Sequence, residues 1–344
     1  MKEHVFPLIE VSGTSYEMGY QHGAQAADMV HRYLQWIDKL TAKPRDLLCK
    51  NAMTFLPFLE AADQSFVEEI RGLAEGAQIS FEEAMLCQVR AEAVKVSGEG
   101  CTAFALRGKA TASGSFLAGQ NQDLETEFAD VALLLRLKPT DDRPRMLQFT
   151  FAGQLGYTGM NEYGLCSFNN ALHNFTWRPG LTHYMLTRMM LEKRDVTEVI
   201  DLYRRYNSCS AANKVICDTR GEMASVEVRP DGVALFTDDD PDWLVHTNHY
   251  LTEEFTSFNE GDPRRDSPAR LKRMRELIKA EWGGITVDSL KKMLADHEGD
   301  PGGICRHGER NMHSISGYIA EPEKRIIHIR RGHGCTGSWK EYDV

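Results

Sequence analysis

The hydrophobic period of this chain changes near residue 100, and that change bounds the fold more tightly than any motif. Before it, apolar residues recur at helical spacing: Met29, Val30, Tyr33, Leu34, Ile37 and Leu40 form one stripe, and Phe66, Val67, Ile70 and Leu73 form another that stops at Gly76. Ser80-Phe81-Glu82-Glu83 is a capping-box pattern that starts a third helix through Met85, Leu86 and Val89. A short strand at 5–11 precedes all three. After Ser97-Gly98-Glu99-Gly100 the texture is that of strands, expected at 101–107, 115–121, 131–137, 145–151 and 164–169 as a meander, then at 213–218, 223–229 and 233–237. Helices are expected at 182–193, 196–206, 269–281 and 286–295, and two strands, 313–320 and 325–331, close the chain. Strands in blocks and helices in blocks imply an α+β layered fold, with two sheets face to face and helices outside both, rather than an alternating parallel sheet. A length of 344 residues allows two domains or a single large one, and 42% apolar residues can bury a large core.

Acids outnumber bases 50 to 40, leaving a net charge of −10, which disfavours nucleic acid or an anionic membrane as a partner. No apolar run reaches the length of a membrane span, and Met1 to Pro7 lacks the apolar centre of a signal peptide. Eight scattered cysteines without a CxxC pair then read as reduced, mostly buried thiols, and the expected location is the cytoplasm. Cys305-Arg306-His307 with His313, and His328 with His333 and Cys335, are metal-ligand residue types, but their spacings fit no zinc pattern. Neither a metal nor any other cofactor is expected.

One cysteine stands apart by context. Gly100-Cys101 opens an apolar strand, Cys101-Thr102-Ala103-Phe104-Ala105-Leu106, whose partner run ends Gly119-Gln120-Asn121-Gln122-Asp123. If the Gly100–Cys101 bond were cut, Cys101 would carry both a thiol and a free α-amine, whose ordinary pKa of about 8 suits it to take the thiol proton. Gly100 removes a side chain from the attacked carbonyl. Asp123, brought level with the start of the strand by a hairpin, is a candidate to hold the α-ammonium or orient the thiol; a strand-end cap is the commoner use of such an Asp.

These residues resemble the acyl-coenzyme A:6-aminopenicillanic acid acyltransferase family, self-processing N-terminal-nucleophile hydrolases that include carcinine-hydrolase-like enzymes. Further matching segments run in order along the chain: Gly13 to Gly23, Glu162-Tyr163-Gly164-Leu165 with Phe168-Asn169-Asn170, Ser210-Ala211-Ala212-Asn213, and His246-Thr247-Asn248-His249. The resemblance implies a single domain, 1–344, built as a four-layer αββα sandwich, and cleavage between Gly100 and Cys101. It also implies a heterodimer of a small, mostly helical fragment, 1–100, with a catalytic fragment, 101–344. By motif position Cys101 is the nucleophile, Asp123 the supporting carboxylate, and Asn248 the oxyanion-stabilising amide. Ala103 stands where the family's acyltransferase has a hydroxyl residue. The implied substrate is a small N-acyl amide, with an acyl-CoA or an amine acceptor as a further partner.

Asn121, Tyr157, Asn170 and Ser210 are secondary candidates for lining the pocket or supporting the site, each with a structural alternative, as are Phe168 and Trp177. Arg178, Arg306 and Arg310 could meet a substrate carboxylate, although solvated loop arginines are the simpler account. His22, between glycines, is expected to anchor the N-terminal piece to a sheet. Two competing functions are a non-catalytic binding protein of the same fold and an uncleaved thiol hydrolase with His246 or His249 as base.

Overall fold

A computed structural model describes residues 5–94, 100–173, 178–206, 208–262, 266–300, 302–308 and 312–344. The first segment is β1 (Leu8–Gly13) followed by α1 (Ser15–Lys39), α2 (Arg45–Met53), α3 (Leu56–Ala62), α4 (Gln64–Ala77), α5 (Phe81–Gln88) and α6 (Arg90–Val94). Capping boxes at Thr14 and Ser80 start α1 and α5, because each hydroxyl satisfies an N3 amide that the helix itself leaves unpaired. Helices α1 and α4 cross at glycines. A Cβ on Gly19 or Gly23 would enter the α4 backbone at Glu69 O or Leu73 O, and one on Gly72 or Gly76 would enter α1 at Tyr16 O or Tyr20 O. Gly19 and Gly23 therefore serve close helix packing. His22 accepts a hydrogen bond from Gly153 N (3.3 Å), and burial lowers its pKa to about 4, keeping it a neutral acceptor that ties α1 to the turn after a central strand.

The remaining strands are β2 (Gly100–Leu106), β3 (Leu117–Glu125), β4 (Ala132–Pro139), β5 (Met146–Phe151), β6 (Thr158–Asn161), β7 (Cys166–Ala171), β8 (Ala212–Cys217), β9 (Met223–Arg229), β10 (Gly232–Phe236), β11 (Trp243–His246), β12 (Met312–Glu321), β13 (Ile326–Arg331) and β14 (Ser338–Asp343). Helices α7 (His183–Leu191) and α8 (Val196–Arg205) follow β7, and α9 (Ser267–Ala280) and α10 (Val287–Met293) follow β11. An eight-stranded sheet has the order β1-β4-β5-β6-β7-β8-β9-β10, and a six-stranded sheet the order β11-β2-β3-β12-β13-β14. The β1–β4 pair is parallel and the other pairs are antiparallel. Helices of the first segment and α7–α8 cover the larger sheet, while α9 and α10 cover the smaller one. The result is the four-layer αββα sandwich.

The expected meander is divided between the sheets. β2 and β3 belong to the smaller sheet and β4 to β7 to the larger, because the 3₁₀ turn Thr126–Asp130 carries the chain across the sandwich. β2 begins at Gly100 rather than Cys101. Three strands escape the alternation pattern. β6 is embedded in glycine-rich sequence, β11 has only four residues, and β14 is a polar edge strand, so the chain ends on β14 rather than on β13. The segment after Leu40 also adds α2 and α3, short helices with weak apolar stripes.

Candidate active site

Strand alternation divides β2 and β3 between two environments. Ala103 and Ala105 join the core between the sheets, whereas Phe104 and Leu106 pack with Leu271, Met274 and Ile278 of α9. By the same alternation Cys101 points between the sheets, and Gly100 and Thr102 point toward α9. The hairpin register pairs Gly100 with Asp123 and Cys101 with Gln122. The carboxylate thus lies on the glycine's face of the hairpin, opposite to the thiol.

Asp123 is fully buried. Its Oδ1 accepts from Ser314 Oγ (2.6 Å), and Arg306 Nη1 stands 3.9 Å from its Oδ2. Burial pushes its pKa up to about 6 despite the opposing pull of Arg306, Arg270 and the Ser314 hydrogen bond. Arg306 also reaches Asp266 Oδ2 at 3.2 Å and is largely buried, so it is not a solvated loop arginine. A Cβ on Gly100 would run into Arg306 Nη1, with Met312 and Asp123 close behind. Glycine here lets a guanidinium lie against the Gly100 backbone.

The amide of Cys101 donates to Asn248 Oδ1 at 2.7 Å. Asn248 follows β11 in a loop pinned to the start of α9: its backbone amide donates to Ser267 Oγ (2.7 Å), and Thr247 Oγ1 donates to Ser267 O (3.0 Å). Asn248 Nδ2 donates to Ala171 O (3.0 Å) at the end of β7, bridging the two sheets. Arg270 on α9 completes the arrangement. It donates through Nη1 to Cys101 O (2.6 Å) and Thr102 Oγ1 (3.1 Å), through Nη2 to Asn248 Oδ1 (2.8 Å), and through Nε to Asp266 Oδ2 (3.1 Å). Burial alone would raise Asp266, but Arg270 and Arg306 outweigh it and hold the carboxyl below its usual range. The backbone of Cys101 is therefore held on both sides, at N by an amide oxygen and at O by a guanidinium.

The layer between the sheets holds a network of buried polar side chains. Gln120 spans the gap, donating from Nε2 to Asn169 O (2.6 Å) and accepting from Asn169 N (2.9 Å). Gln120 Nε2 also donates to Gln122 Oε1 (2.7 Å). On the facing sheet Asn170 Oδ1 accepts from Asn213 Nδ2 (3.1 Å), and Asn213 Oδ1 accepts from Ser225 Oγ (2.8 Å). Two buried donors here, Gln122 Nε2 and Asn170 Nδ2, have no partner among the described residues, a costly condition in a dry interior.

Most of the other sequence candidates fall elsewhere. Asn121 faces α10, donating to Leu294 O and Ile304 O and accepting from Arg330. Tyr157 packs among Phe149, Phe151 and Tyr184, and Phe168 stacks on Tyr318. Ser210 Oγ donates to Glu92 of α6 (3.2 Å). Arg178 is exposed, and Trp177 and Arg310 lie outside the described residues. Both ring nitrogens of His246 are engaged, Nδ1 with Thr247 O (2.8 Å) and Nε2 with Glu227 Oε1 (2.9 Å). His249 Nδ1 lies 2.8 Å from Ser267 Oγ, and burial, aided by His246 and Arg270, lowers its pKa to about 4. A histidine base for Cys101 has little support in this geometry. The sequence does not single out Arg270, Gln122, Asp266, Ser267 or Ser314. Arg270 carried a usable signal, since it stands in the buried stripe Arg270, Met274, Ile278 of an otherwise amphipathic helix.

The model of the family described as acyl-coenzyme A:6-aminopenicillanic acid acyl-transferase matches residues 110–334. The chain belongs to this family. The matched span of the acyltransferase family includes Asp123 and Asn248 and begins nine residues after Cys101 (110 − 101). An acyl-coenzyme A:6-aminopenicillanic-acid-acyltransferase 40 kDa form from Emericella nidulans is 27% identical over 306 residues, covering 87% of this chain and 84% of that protein. A beta-alanyl-dopamine/carcinine hydrolase from Drosophila melanogaster is 23% identical over 260 residues, covering 67% of this chain and 66% of that protein. Among solved structures, a variant of conjugated bile acid hydrolase from Clostridium perfringens superposes with a TM-score of 0.51 at 17% identity, over 71% of this chain and 97% of that one. Penicillin V acylase from Agrobacterium tumefaciens gives 0.52 at 13% identity, over 71% and 86%. These structures share the N-terminal-nucleophile hydrolase fold with the acyltransferase-family chain described here. Among the described residues no helix is long and apolar enough to cross a membrane.

Proposed function

We propose that this chain is a self-processing cysteine amidohydrolase or acyltransferase whose nucleophile arises by cutting its own Gly100–Cys101 bond. The observation that carries the reading is the head of β2, where Asn248 Oδ1 holds the Cys101 nitrogen while Asp123 and Arg306 flank Gly100. In processing, the Cys101 thiol adds to the Gly100 carbonyl carbon, the C–N bond breaks, and the nitrogen takes the thiol proton. Water then hydrolyses the resulting thioester, leaving Gly100 as a carboxylate and Cys101 with a free thiol and a free α-amine. Asn248 Oδ1 retains that amine, and the Asp123 carboxylate offers its ammonium form a counter-charge.

In turnover the α-amine accepts the thiol proton as sulfur adds to the carbonyl of a small N-acyl amide. One N–H of Asn248 Nδ2 serves Ala171 O, and the second is the donor assigned to the developing oxyanion. The amine product leaves with the proton, and the thioester on Cys101 passes its acyl group to water or to an amine acceptor; in the transfer version an acyl-coenzyme A is the donor. Hydrolysis of a linear amide is the preferred outcome, because water is always present as acceptor. The family name, and the Drosophila relative named as a beta-alanyl-dopamine/carcinine hydrolase, agree with amide chemistry. Fragments 1–100 and 101–344 stay together as a heterodimer in this reading, since β1 pairs with β4 and α1 buries its apolar stripe in the common core. The cytoplasm is the proposed location.

The test is acid-quenched intact mass after incubation with N-acyl amino acids, β-alanyl amines and penicillin-type amides. The expected result is an acyl-sized mass increase confined to the fragment that begins at Cys101. Turnover that persists undiminished in Cys101→Ala would sink every version with this nucleophile.

A further inference from the structure

The loop between α10 and β12 and the loop between β13 and β14 meet at one end of the smaller sheet, where a Cβ on Gly334 would enter the Leu294 backbone. His297, Cys305 and His307 come from the first loop and Cys335 from the second, and their ligand atoms all lie within 4.8 Å of one another. His307 Nε2 faces His297 Nε2 at 2.9 Å and Cys335 Sγ at 3.4 Å. A neutral imidazole nitrogen carries at most one proton, so one atom is approached by two groups that it cannot serve equally. Bond lengths of about 2.0 Å to nitrogen and 2.3 Å to sulfur give ligand–ligand edges of about 3.3–3.8 Å in a tetrahedral zinc site, which shifts of about 1 Å or less would reach from separations of 2.9, 3.4 and at most 4.8 Å. Cys305 is buried, whereas His297 and Cys335 are exposed, which leaves an entry path. No zinc spacing is legible along the sequence because His297 and Cys335 are brought in by chain folding, not by a local motif.

We propose that His297, Cys305, His307 and Cys335 form a Cys2His2 zinc(II) site that fastens these loops together. Binding releases the two thiol protons, and two thiolates with two neutral imidazoles give a site of zero net charge with the ion. Thiolate and imidazole ligands favour zinc over magnesium or calcium. Arg306 lies between two of the ligands and reaches Asp266 and Asp123, so the same ion would hold that arginine over Gly100. His333, stacked on His307 with ring centroids 4.9 Å apart, would brace the imidazole.

The test is metal analysis and cobalt(II) titration of the full-length protein under reducing conditions, and it does not depend on cleavage or turnover. The expected result is one zinc per chain as purified. After chelation, one equivalent of cobalt(II) should give the visible bands of tetrahedral coordination and a near-ultraviolet thiolate charge-transfer band. Cys335→Ser, which alters an exposed side chain, should weaken cobalt binding at least about 100-fold, the upper end of what outer-shell changes alone cost. Cys49→Ser should leave it unchanged. Substoichiometric metal, a six-coordinate cobalt spectrum without a thiolate band, unchanged affinity in Cys335→Ser, or a Cys305–Cys335 disulfide in place of metal uptake would each overturn the proposal.

Discussion

The two faces of the β2–β3 hairpin carry the same secondary structure and opposite chemistry. The inner face presents Cys101, Ala103, Gln120 and Gln122, neutral groups between two sheets. The outer face presents Gly100, Thr102 and Asp123 to Arg270, Arg306 and Ser314, and it carries the charges. The alternation of a strand does this automatically, since neighbours on one strand project to opposite sides. A thiol and a carboxylate on opposite faces cannot work as a simple thiol–acid pair. They can work through the atom that lies in the sheet between them, the nitrogen of Cys101, and that atom is what Asn248 grips. Of the two roles that the sequence leaves to Asp123, this arrangement favours the ammonium over the thiol.

Four substitutions would break or sharpen this division of labour. Asn248→Ala removes both the grip on Cys101 N and the proposed oxyanion donor; turnover should fall about 10³-fold, the upper range for one such donor, as measured on whatever fraction is processed. Asp123→Asn keeps the shape and the Ser314 contact but removes the charge, and turnover should fall about 100-fold, within the range for a positioned acid–base group. The same variant tests the pH profile. Burial raises Asp123 from 3.8 to about 6 in the uncut chain, and the ammonium that cleavage sets beside it pulls the carboxyl back down, so it takes up its proton only as pH falls below about 6. Wild-type turnover should therefore decline below that point, and Asp123→Asn should lack that acidic limb. An unchanged limb would mean that another group sets it.

Gly100→Ala acts on the outer face alone. The new methyl displaces Arg306 Nη1, and processing should slow about tenfold, less than the hundredfold that a 1 Å misplacement can cost. Once cut, the same protein should turn over at the wild-type rate, because residue 100 is then a product terminus. Gln122→Met acts on the inner face and removes a buried donor without a partner, together with one of the two acceptors of Gln120 Nε2, which keeps Asn169 O. Thermal stability should hold or rise, while KM should increase about fivefold, equivalent to one lost hydrogen bond of about 1 kcal/mol. A stability loss with unchanged KM would assign Gln122 to packing.

The layered fold was legible because helix and strand periods are local properties, and so were the caps at Ser80 and the level pairing of Asp123 with the start of β2. The division of the meander between sheets was not, since Thr126–Asp130 reads as an ordinary turn whether the next strand pairs or crosses over. Arg270 is 169 residues from Cys101. Only its place in a buried helical stripe marks it, and nothing local says which strand that stripe covers. Arg306 reads from the sequence as a solvated loop residue, and its burial against Asp266 is a tertiary fact that composition does not carry.

The central claim, that Cys101 works as a chain terminus, is tested most directly by the intact mass of the purified wild-type protein beside that of Cys101→Ala. The expected result is two fragments meeting between Gly100 and Cys101 in the wild type and a single chain in the variant. An uncut wild type that turns over amides at full rate would contradict it.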